Sequence, residues 1–242
     1  MLNNGGSPTQ MERVLGELRG DILAGRQLPG TKLAFADLTA RYSASQGVIR
    51  EVLARLTAQG LVESRPQHGF RVMPLSVPDL ENLTEARCLV EPTVLRQSIQ
   101  HGGVSWESEV LAAHYRLEQT PQQAPGDTGR ITDEWAAAHA EYHQALLSAS
   151  PNRRLLAIAE SLRESAELYR RWSVPLGLEE RDIAGEHRGI LRALLDHDAD
   201  TAAEFLTAHI QHTTNVLLEQ GNWSTAIRPQ SPSEPGPEIL SQ

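Results

Sequence analysis

The sequence has little of what is typical of secreted or membrane proteins. Its 242 residues contain a single cysteine, Cys88, which excludes a framework of intramolecular disulfides. No apolar run approaches the roughly 20 residues that a membrane span requires, and the N-terminus shows no signal peptide. We therefore expect a soluble, cytoplasmic protein with no membrane partner.

Patterns typical of enzymes are also absent from the sequence. It contains no glycine-rich phosphate loop, no serine elbow and no cysteine nucleophile. The segment HAEYH superficially resembles the zinc-protease pattern HExxH. That pattern needs its acid directly after the first histidine, whereas Glu141 follows His139 by two residues. The sequence predicts a protein that is not an enzyme, with a metal-dependent hydrolase as the alternative.

Charge is divided unevenly along the chain. The total of 22 Lys+Arg against 31 Asp+Glu gives a net charge of −9, which by itself argues against a nucleic-acid partner. Residues 26–73 nevertheless carry seven basic and three acidic side chains, a net charge of +4, whereas residues 78–219 carry 12 arginines and 23 acids, a net charge of −11. A basic N-terminal part on an acidic body is suited to contact with DNA phosphates at one end.

Residues 45–73 have the pattern of a recognition helix followed by a β-hairpin. Apolar residues recur there at the spacing of one helix face: Val48, Ile49, Val52, Leu53 and Leu56. Gly60 stands where a left-handed residue ends a helix, and β-compatible runs lie on both sides of residues 66–69. With two helices expected upstream, residues 1–75 are predicted to form a winged helix-turn-helix domain. For residues 45–73 alone, the alternative is an ordinary amphipathic helix and hairpin.

The N-terminal third resembles the GntR family of transcription factors. The resemblance rests on the order and spacing of Leu28-Pro29-Gly30, Leu33, Asp37-Leu38, Ser45, Arg50-Glu51, Leu53, Leu56, Gly60-Leu61-Val62 and His68-Gly69. The chain departs from the family at Gln46-Gly47-Val48, where Arg-Thr-Pro is usual, and at Ala36, where some members have arginine.

The resemblance implies a homodimer whose paired recognition helices read a palindromic operator in double-stranded DNA. The predicted DNA-binding residues are Lys32, Ser45, Gln46, Gly47, Arg50, His68 and Gly69. Arg50 is expected to contact a base or a phosphate, and Gln46 to meet an adenine edge. Lys32 and Ser45 are expected to bind phosphates, while the residues at the tip of the hairpin reach toward the minor groove.

The chain after Ser76 is predicted to be helical almost to its end. We expect helices near 78–101, 105–119, 131–149, 153–172, 178–197 and 200–220, separated by turn-forming segments that include the polar loop 120–129. Six helices and no convincing strand predict an all-α bundle over residues 76–220. Residues 221–242, rich in proline and serine, are predicted to be disordered. The predicted fold class is mainly α.

Four histidines in the predicted bundle are candidates for a metal site. His139 and His143 lie four residues apart and share one helix face, while His187 and His209 belong to the last two helices. Neutral imidazoles that converge from three helices bind a divalent transition metal. The alternative is that each is an ordinary surface or core histidine.

The bundle resembles the FCD ligand-binding domain found in the FadR branch of GntR regulators. The residues that carry this resemblance are Arg87 and Glu91, Tyr142-His143, Asn152, Glu186-His187 and His209. In metal-binding members, three histidines act with an aspartate four residues before the first, and here that position is His139. The resemblance implies a divalent metal, zinc or alternatively nickel, with His139, His143, His187 and His209 as its predicted ligands.

The number of helices is similar to that of the VanR-like subgroup, which implies a small effector rather than an acyl-CoA. We predict a ligand-responsive repressor that a carboxylate-bearing metabolite, bound over the metal, releases from its operator. Arg87 is a candidate effector-binding residue because guanidinium pairs with carboxylate in a bidentate manner, or else it forms an ion pair with Glu91. A constitutive dimeric DNA-binding protein is the alternative, and the sequence does not distinguish a repressor from an activator.

Overall fold

The computed structural model describes residues 9–124, 127–173 and 181–220 of the chain. The helices are α1 (Gln10–Leu23), α2 (Phe35–Tyr42), α3 (Gln46–Ala58), α4 (Val77–His101), α5 (Val104–Gln119), α6 (Asp133–Leu147), α7 (Arg153–Ser173), α8 (Ile183–Leu195) and α9 (Ala199–Gln220). The strands are β1 (Lys32–Leu33), β2 (Val62–Arg65), β3 (Gly69–Val72), β4 (Gln123–Ala124) and β5 (Asp127–Ile131). The predicted mainly α fold is confirmed. The predicted disorder of residues 221–242 lies outside the described residues.

Residues 9–75, called the head here, form the winged helix-turn-helix. Thr9 and Glu12 cap the start of α1 reciprocally, and the Ser45 hydroxyl accepts a hydrogen bond from the Val48 amide to start α3. The apolar faces of α1 and α3 pack together in the core of the head. The hairpin of β2 and β3 forms the wing, so both parts of the predicted motif are present.

Two details of the head differ from the sequence prediction. The segment from Leu33 to Tyr42 favours a short helix by its sequence, but Leu33 lies in β1 and pairs with Phe70 of β3, so that α2 begins only at Phe35. The wing sheet therefore has three antiparallel strands in the order β1-β3-β2. A strand of two residues is too short to show an alternating pattern, and its partner strand lies far along the sequence, so this pairing could not be predicted.

Residues 76–220, called the helical domain here, pack α4 against α7 and α9, α8 against α9, and α5 against α6. The Tyr142 hydroxyl donates to the His187 carbonyl at 3.0 Å and so joins α6 to α8. The prediction of no strand in this domain was wrong, since β4 and β5 pair as a short antiparallel hairpin within the expected loop 120–129 and just after it. These strands are short and largely polar, so the sequence carries no alternating apolar pattern that would reveal them.

No helix of the described chain is long and apolar enough to cross a membrane.

Helix α7 of the helical domain lies against the end of α3. The hydroxyl of Ser161 donates to the Ala58 carbonyl at 3.3 Å, and that of Ser165 lies 3.4 Å from the Gln59 carbonyl. The backbone then turns at Gly60, whose φ of +71° is one that L side chains rarely adopt. A Cβ added to Gly60 would overlap the Ser165 hydroxyl, so glycine is required there both for its conformation and for the close approach.

Gly60→Ala is therefore expected to destabilise the protein more than Gly30→Ala does. Gly30 has a similar φ of +79° but no atom within 4 Å of an added Cβ, so its substitution costs only the left-handed conformation, about 1–2 kcal/mol. Gly60→Ala adds displacement of Ser165 and loss of its hydrogen bond, about 1 kcal/mol more. Urea unfolding of both variants measures the difference. Equal losses would show that α7 does not pack closely on this turn.

Candidate functional site

Four histidines from three helices meet inside the helical domain. His139 and His143 project from α6, His187 from α8 and His209 from α9, and each side chain is at most 7% exposed. One ring nitrogen of each lies within 4.8 Å of those of the others. These residues, called the histidine cluster here, are the four that the sequence predicted as metal ligands, and the fold brings all of them together.

The ring nitrogens of three members of the cluster suit a metal ion. The Nε2 atoms of His143 and His187 are buried and have no hydrogen-bond partner within the described residues. Nδ1 of His209 lies 2.7 Å from a Glu186 carboxylate oxygen, so its N–H donates there and leaves Nε2 as a lone-pair donor. A buried polar atom without a partner is costly, and a divalent transition metal is the partner that imidazole nitrogens suit. The cluster is able to hold a metal ion.

The electrostatics of the cluster keep its imidazoles neutral. Burial, together with neighbouring positive groups, lowers the pKa of His139, His143 and His187 well below the usual histidine range. Burial also lowers the pKa of His209, although its hydrogen bond to Glu186 opposes the shift. Neutral imidazole is the form that ligates metals, so the site is prepared for coordination at neutral pH.

Glu186 is not a member of the cluster, but it accepts a hydrogen bond from His209 and so fixes the orientation of that imidazole. Burial opposes its ionisation, but hydrogen bonds from His209 and Arg181 hold the pKa of the Glu186 carboxyl below its usual range. His212 also approaches this carboxylate, with Nδ1 at 3.0 Å from Oε1, but its side chain is largely exposed. His212 therefore stands beside the cluster and not in it.

His139 has a different partner from the other three histidines. The Arg170 guanidinium on α7 lies 2.6 Å from His139 Nδ1 through its Nη1 atom, while the Trp135 ring stacks on the imidazole with centroids 4.8 Å apart. Burial and the charges of Arg87 and Arg171 lower the pKa of Arg170 to about 9, so the guanidinium stays charged at neutral pH. Nothing in the sequence indicates this role of Arg170, because no spacing pattern connects it to a residue 31 positions earlier.

A cavity of about 300 Å³ opens beside the cluster. His139, His143 and His209 line it together with side chains of α4, α7 and the β4–β5 region. Charged residues are frequent on its wall: Arg19, Arg87, Arg163, Arg170, Arg171 and Arg181, against Glu160, Glu164 and Glu167. The excess of arginine makes the cavity suited to an anion.

Arg87 forms the ion pair with Glu91 that the sequence offered as an alternative, and its role in effector binding stays a prediction. Its guanidinium forms an ion pair with Glu91, with Nε 2.6 Å from Oε1, and it also lines the cavity. Two further arginines on the wall have buried nitrogens without hydrogen-bond partners in the described chain, Nη1 of Arg163 and Nε of Arg170. Donors of this kind are what a bound carboxylate would satisfy.

The predicted DNA-binding residues lie on the exposed surface of the head. Ser45, Gln46, Gly47 and Arg50 are exposed in the first turns of α3 and its cap, and Lys32, His68 and Gly69 are exposed on the wing sheet. Because helix N-termini carry unpaired amides, the start of α3 also favours phosphate contact.

Two aromatic residues that are not among the predicted DNA-binding residues position Arg50. Its guanidinium carbon lies 5.0 Å from the centroid of the Phe35 ring, and Phe35 meets Phe70 edge to face at 6.0 Å. This contact joins the exposed face of α3 to the wing strand β3 and restricts the arginine. The signal available in the sequence was an aromatic at a helix start and another beside the wing turn.

The fold and the cluster together define the class of protein. A winged helix-turn-helix head joined to a helical effector domain is the architecture of a ligand-responsive DNA-binding transcriptional regulator. Residues 10–72 match the model of the bacterial regulatory proteins of the gntR family, and residues 82–212 match the FCD domain. The chain belongs to the GntR family and carries an FCD domain.

Similar proteins agree with this assignment. The HTH-type transcriptional regulator BphR of Paraburkholderia xenovorans is 32% identical over 211 residues, covering 87% of this chain and 86% of the relative. The HTH-type transcriptional repressor GlaR of Escherichia coli is 31% identical over 198 residues, covering 80% of this chain and 89% of the relative. These relatives are transcriptional regulators, which supports the prediction that the chain is not an enzyme.

Solved structures share the fold. A putative GntR transcriptional regulator from Rhodococcus sp. RHA1 gives a TM-score of 0.68 at 22% identity, over 88% of this chain and 99% of the other. The McbR/YncC protein of E. coli gives a TM-score of 0.70 at 19% identity, again over 88% of this chain and 99% of the other.

The histidine cluster makes the stability of the metal-free protein depend on pH. Its pKa values are lowered in the folded state, so the unfolded chain takes up protons first as the pH falls below about 6.5. The free energy of unfolding is therefore highest above about pH 7, where the imidazoles are neutral in both states, and it decreases toward about pH 5.

Urea unfolding of metal-free wild type at both ends of this range measures the loss. Over the same change of pH, the double variant His143→Gln, His187→Gln is expected to lose less stability than the wild type, because two of the buried histidines that cause the loss are absent. The same loss in both proteins would contradict the role of the cluster.

Proposed function

We propose that the chain is a homodimeric repressor that binds a palindromic operator and is released when a small carboxylate-bearing metabolite enters the cavity beside a metal ion. The observation that carries this proposal is the histidine cluster at the wall of an arginine-rich cavity. Two relatives from E. coli, GlaR and RspR, are named repressors. A regulator of this kind acts where the operator DNA is, in the cytoplasm.

The metal proposed for the cluster is zinc, with nickel as the alternative. Neutral imidazole nitrogens suit both ions. His143, His187 and His209 offer ring nitrogens that no protein group in the described chain uses, and Glu186 fixes the orientation of the last of them. The ion would supply positive charge at the cavity wall, where it attracts an anionic effector.

The charge of the cavity supports a carboxylate effector. Six arginines and three glutamates line it. Arg163 and Arg170 each present a buried N–H without a partner in the described residues, and a carboxylate offers acceptors for both. A neutral apolar ligand would leave these donors unsatisfied.

Helix α7 provides a route from the cavity to the DNA-binding head. One of its faces carries Arg163 and Arg170 on the cavity wall, while Ser161 and Ser165 contact the end of α3. Arg19 of α1 also lines the cavity, so the head itself contributes to the site. An effector that prefers a different placement of α7 would shift the recognition helix and lower operator affinity.

DNA contact is proposed for the exposed residues of the head. Arg50 and Gln46 would read base edges in the major groove, and Lys32 and Ser45 would contact phosphates. The hydroxyl oxygen of Ser45 accepts the capping hydrogen bond from the Val48 amide, so the hydroxyl hydrogen remains available to donate to a phosphate. His68 and Gly69 would carry the wing toward the minor groove.

Arg50→Ala is expected to weaken operator binding by roughly 10- to 100-fold, because a bidentate base contact contributes about 1–3 kcal/mol. The operator is first selected from random duplex DNA with the wild type, and affinities are then measured by fluorescence anisotropy. Arg192→Ala, which removes an exposed arginine on α8, is the matched control and should leave affinity unchanged. Equal affinities for wild type and Arg50→Ala would refute the recognition-helix assignment.

Purified wild type is expected to hold about one zinc ion per chain, and the double variant His143→Ala, His187→Ala to hold none, since two ligands are removed. Elemental analysis after dialysis against zinc measures the content. The control is the double variant His101→Ala, His197→Ala, which removes two exposed histidines outside the cluster.

Equal zinc content in the wild type and the cluster variant would rule out the site. Operator affinity that is unchanged by zinc together with small carboxylates would instead support a constitutive DNA-binding protein.

A further inference from the structure

The hydrogen bond between Arg170 and His139 determines which nitrogen of His139 carries a proton. A guanidinium only donates, so His139 Nδ1, 2.6 Å from Arg170 Nη1, must accept. A neutral imidazole has one N–H, which then lies on Nε2. His139 is left without a free lone pair, and it differs in this respect from His209, whose Nδ1 donates to Glu186.

Several contacts hold this pair in place. Arg170 forms an ion pair with Glu167 on the same helix, and its guanidinium carbon lies 5.9 Å from the Trp135 ring centroid. The same tryptophan stacks on the His139 ring. His139 could ligate a metal only if Arg170 moved away, and that would break the ion pair with Glu167 and the contact with the Trp135 ring.

The cluster also lacks an anionic ligand. Within the described chain, the group able to hold a metal contains four histidines and no carboxylate. The acids Glu91, Glu167 and Glu186 are each bound to arginine. A divalent ion among neutral imidazoles, beside the Arg170 cation, would leave a concentration of positive charge in a buried site, which is costly unless an anion enters.

We propose that His143, His187 and His209 hold the metal, that His139 and Arg170 form a receptor for the effector's carboxylate, and that this carboxylate supplies the anion the site lacks. The unpartnered Nε–H of Arg170 is the donor that receives it. The inference rests on the proposed metal-dependent function and adds that metal and effector anion each raise the affinity for the other, because linkage is reciprocal.

The test measures zinc affinity by competition with a chromophoric chelator, in acetate and in acetamide at matched ionic strength. Wild type is expected to bind zinc about tenfold more tightly in acetate, within the usual range of coupling between sites. His139→Asp is expected to bind zinc tightly in both solutions, because it places a carboxylate in the protein itself. His139→Ala should keep about one zinc per chain, whereas His143→Ala should lose it.

The outcomes separate the two proposals. If zinc affinity of the wild type is equal in acetate and acetamide, the coupling is refuted without reliance on any variant. If His139→Ala loses zinc as His143→Ala does, His139 is an ordinary ligand and the inference fails while the metal site stands. If wild type takes up no zinc, both this inference and the proposed metal-dependent function fail. Circular dichroism confirms that each variant is folded.

Discussion

The burial of four imidazoles at one point is the constraint on which the rest of the structure depends. A buried imidazole is tolerated when it is neutral and its nitrogens have partners. Glu186 and Arg170 provide such partners for two members of the histidine cluster, and the remaining inward nitrogens have a metal as their suitable partner. Helices α6, α8 and α9 must meet where these requirements are satisfied, and the bond from Tyr142 to the backbone of α8 holds two of them together.

Helix α7 borders both the arginine-lined cavity and the DNA-binding head. Helix α7 carries Arg170 toward the cavity and Ser165 toward the end of the recognition helix. Leu168 and Tyr169 of α7 belong to the same hydrophobic cluster as the core of the head. Because a packed core does not deform continuously, a change in the position of α7 has to be accommodated by the head.

Periodic features of the molecule were accessible from the sequence, and pairwise contacts between distant residues were not. The interval of four between His139 and His143 requires one helix face, and the apolar spacing in α3 indicated the recognition helix. The wing was also predicted, because Gly60 and the turn before Gly69 have the conformational requirements of a helix end and a hairpin. Strands β1, β4 and β5 were missed because each is short and depends on its partner.

The sequence by itself determined the class of protein, through its resemblance to GntR regulators, and singled out the four histidines as candidate ligands, since local spacing specifies helices and turns and residue type specifies possible ligands. Only the tertiary structure decided how those histidines differ. It places Arg170 against His139, Glu186 against His209, and Arg19 of the head in the wall of the cavity. These contacts depend on how the helices pack, and no periodicity along the chain predicts which side chains of different helices touch one another.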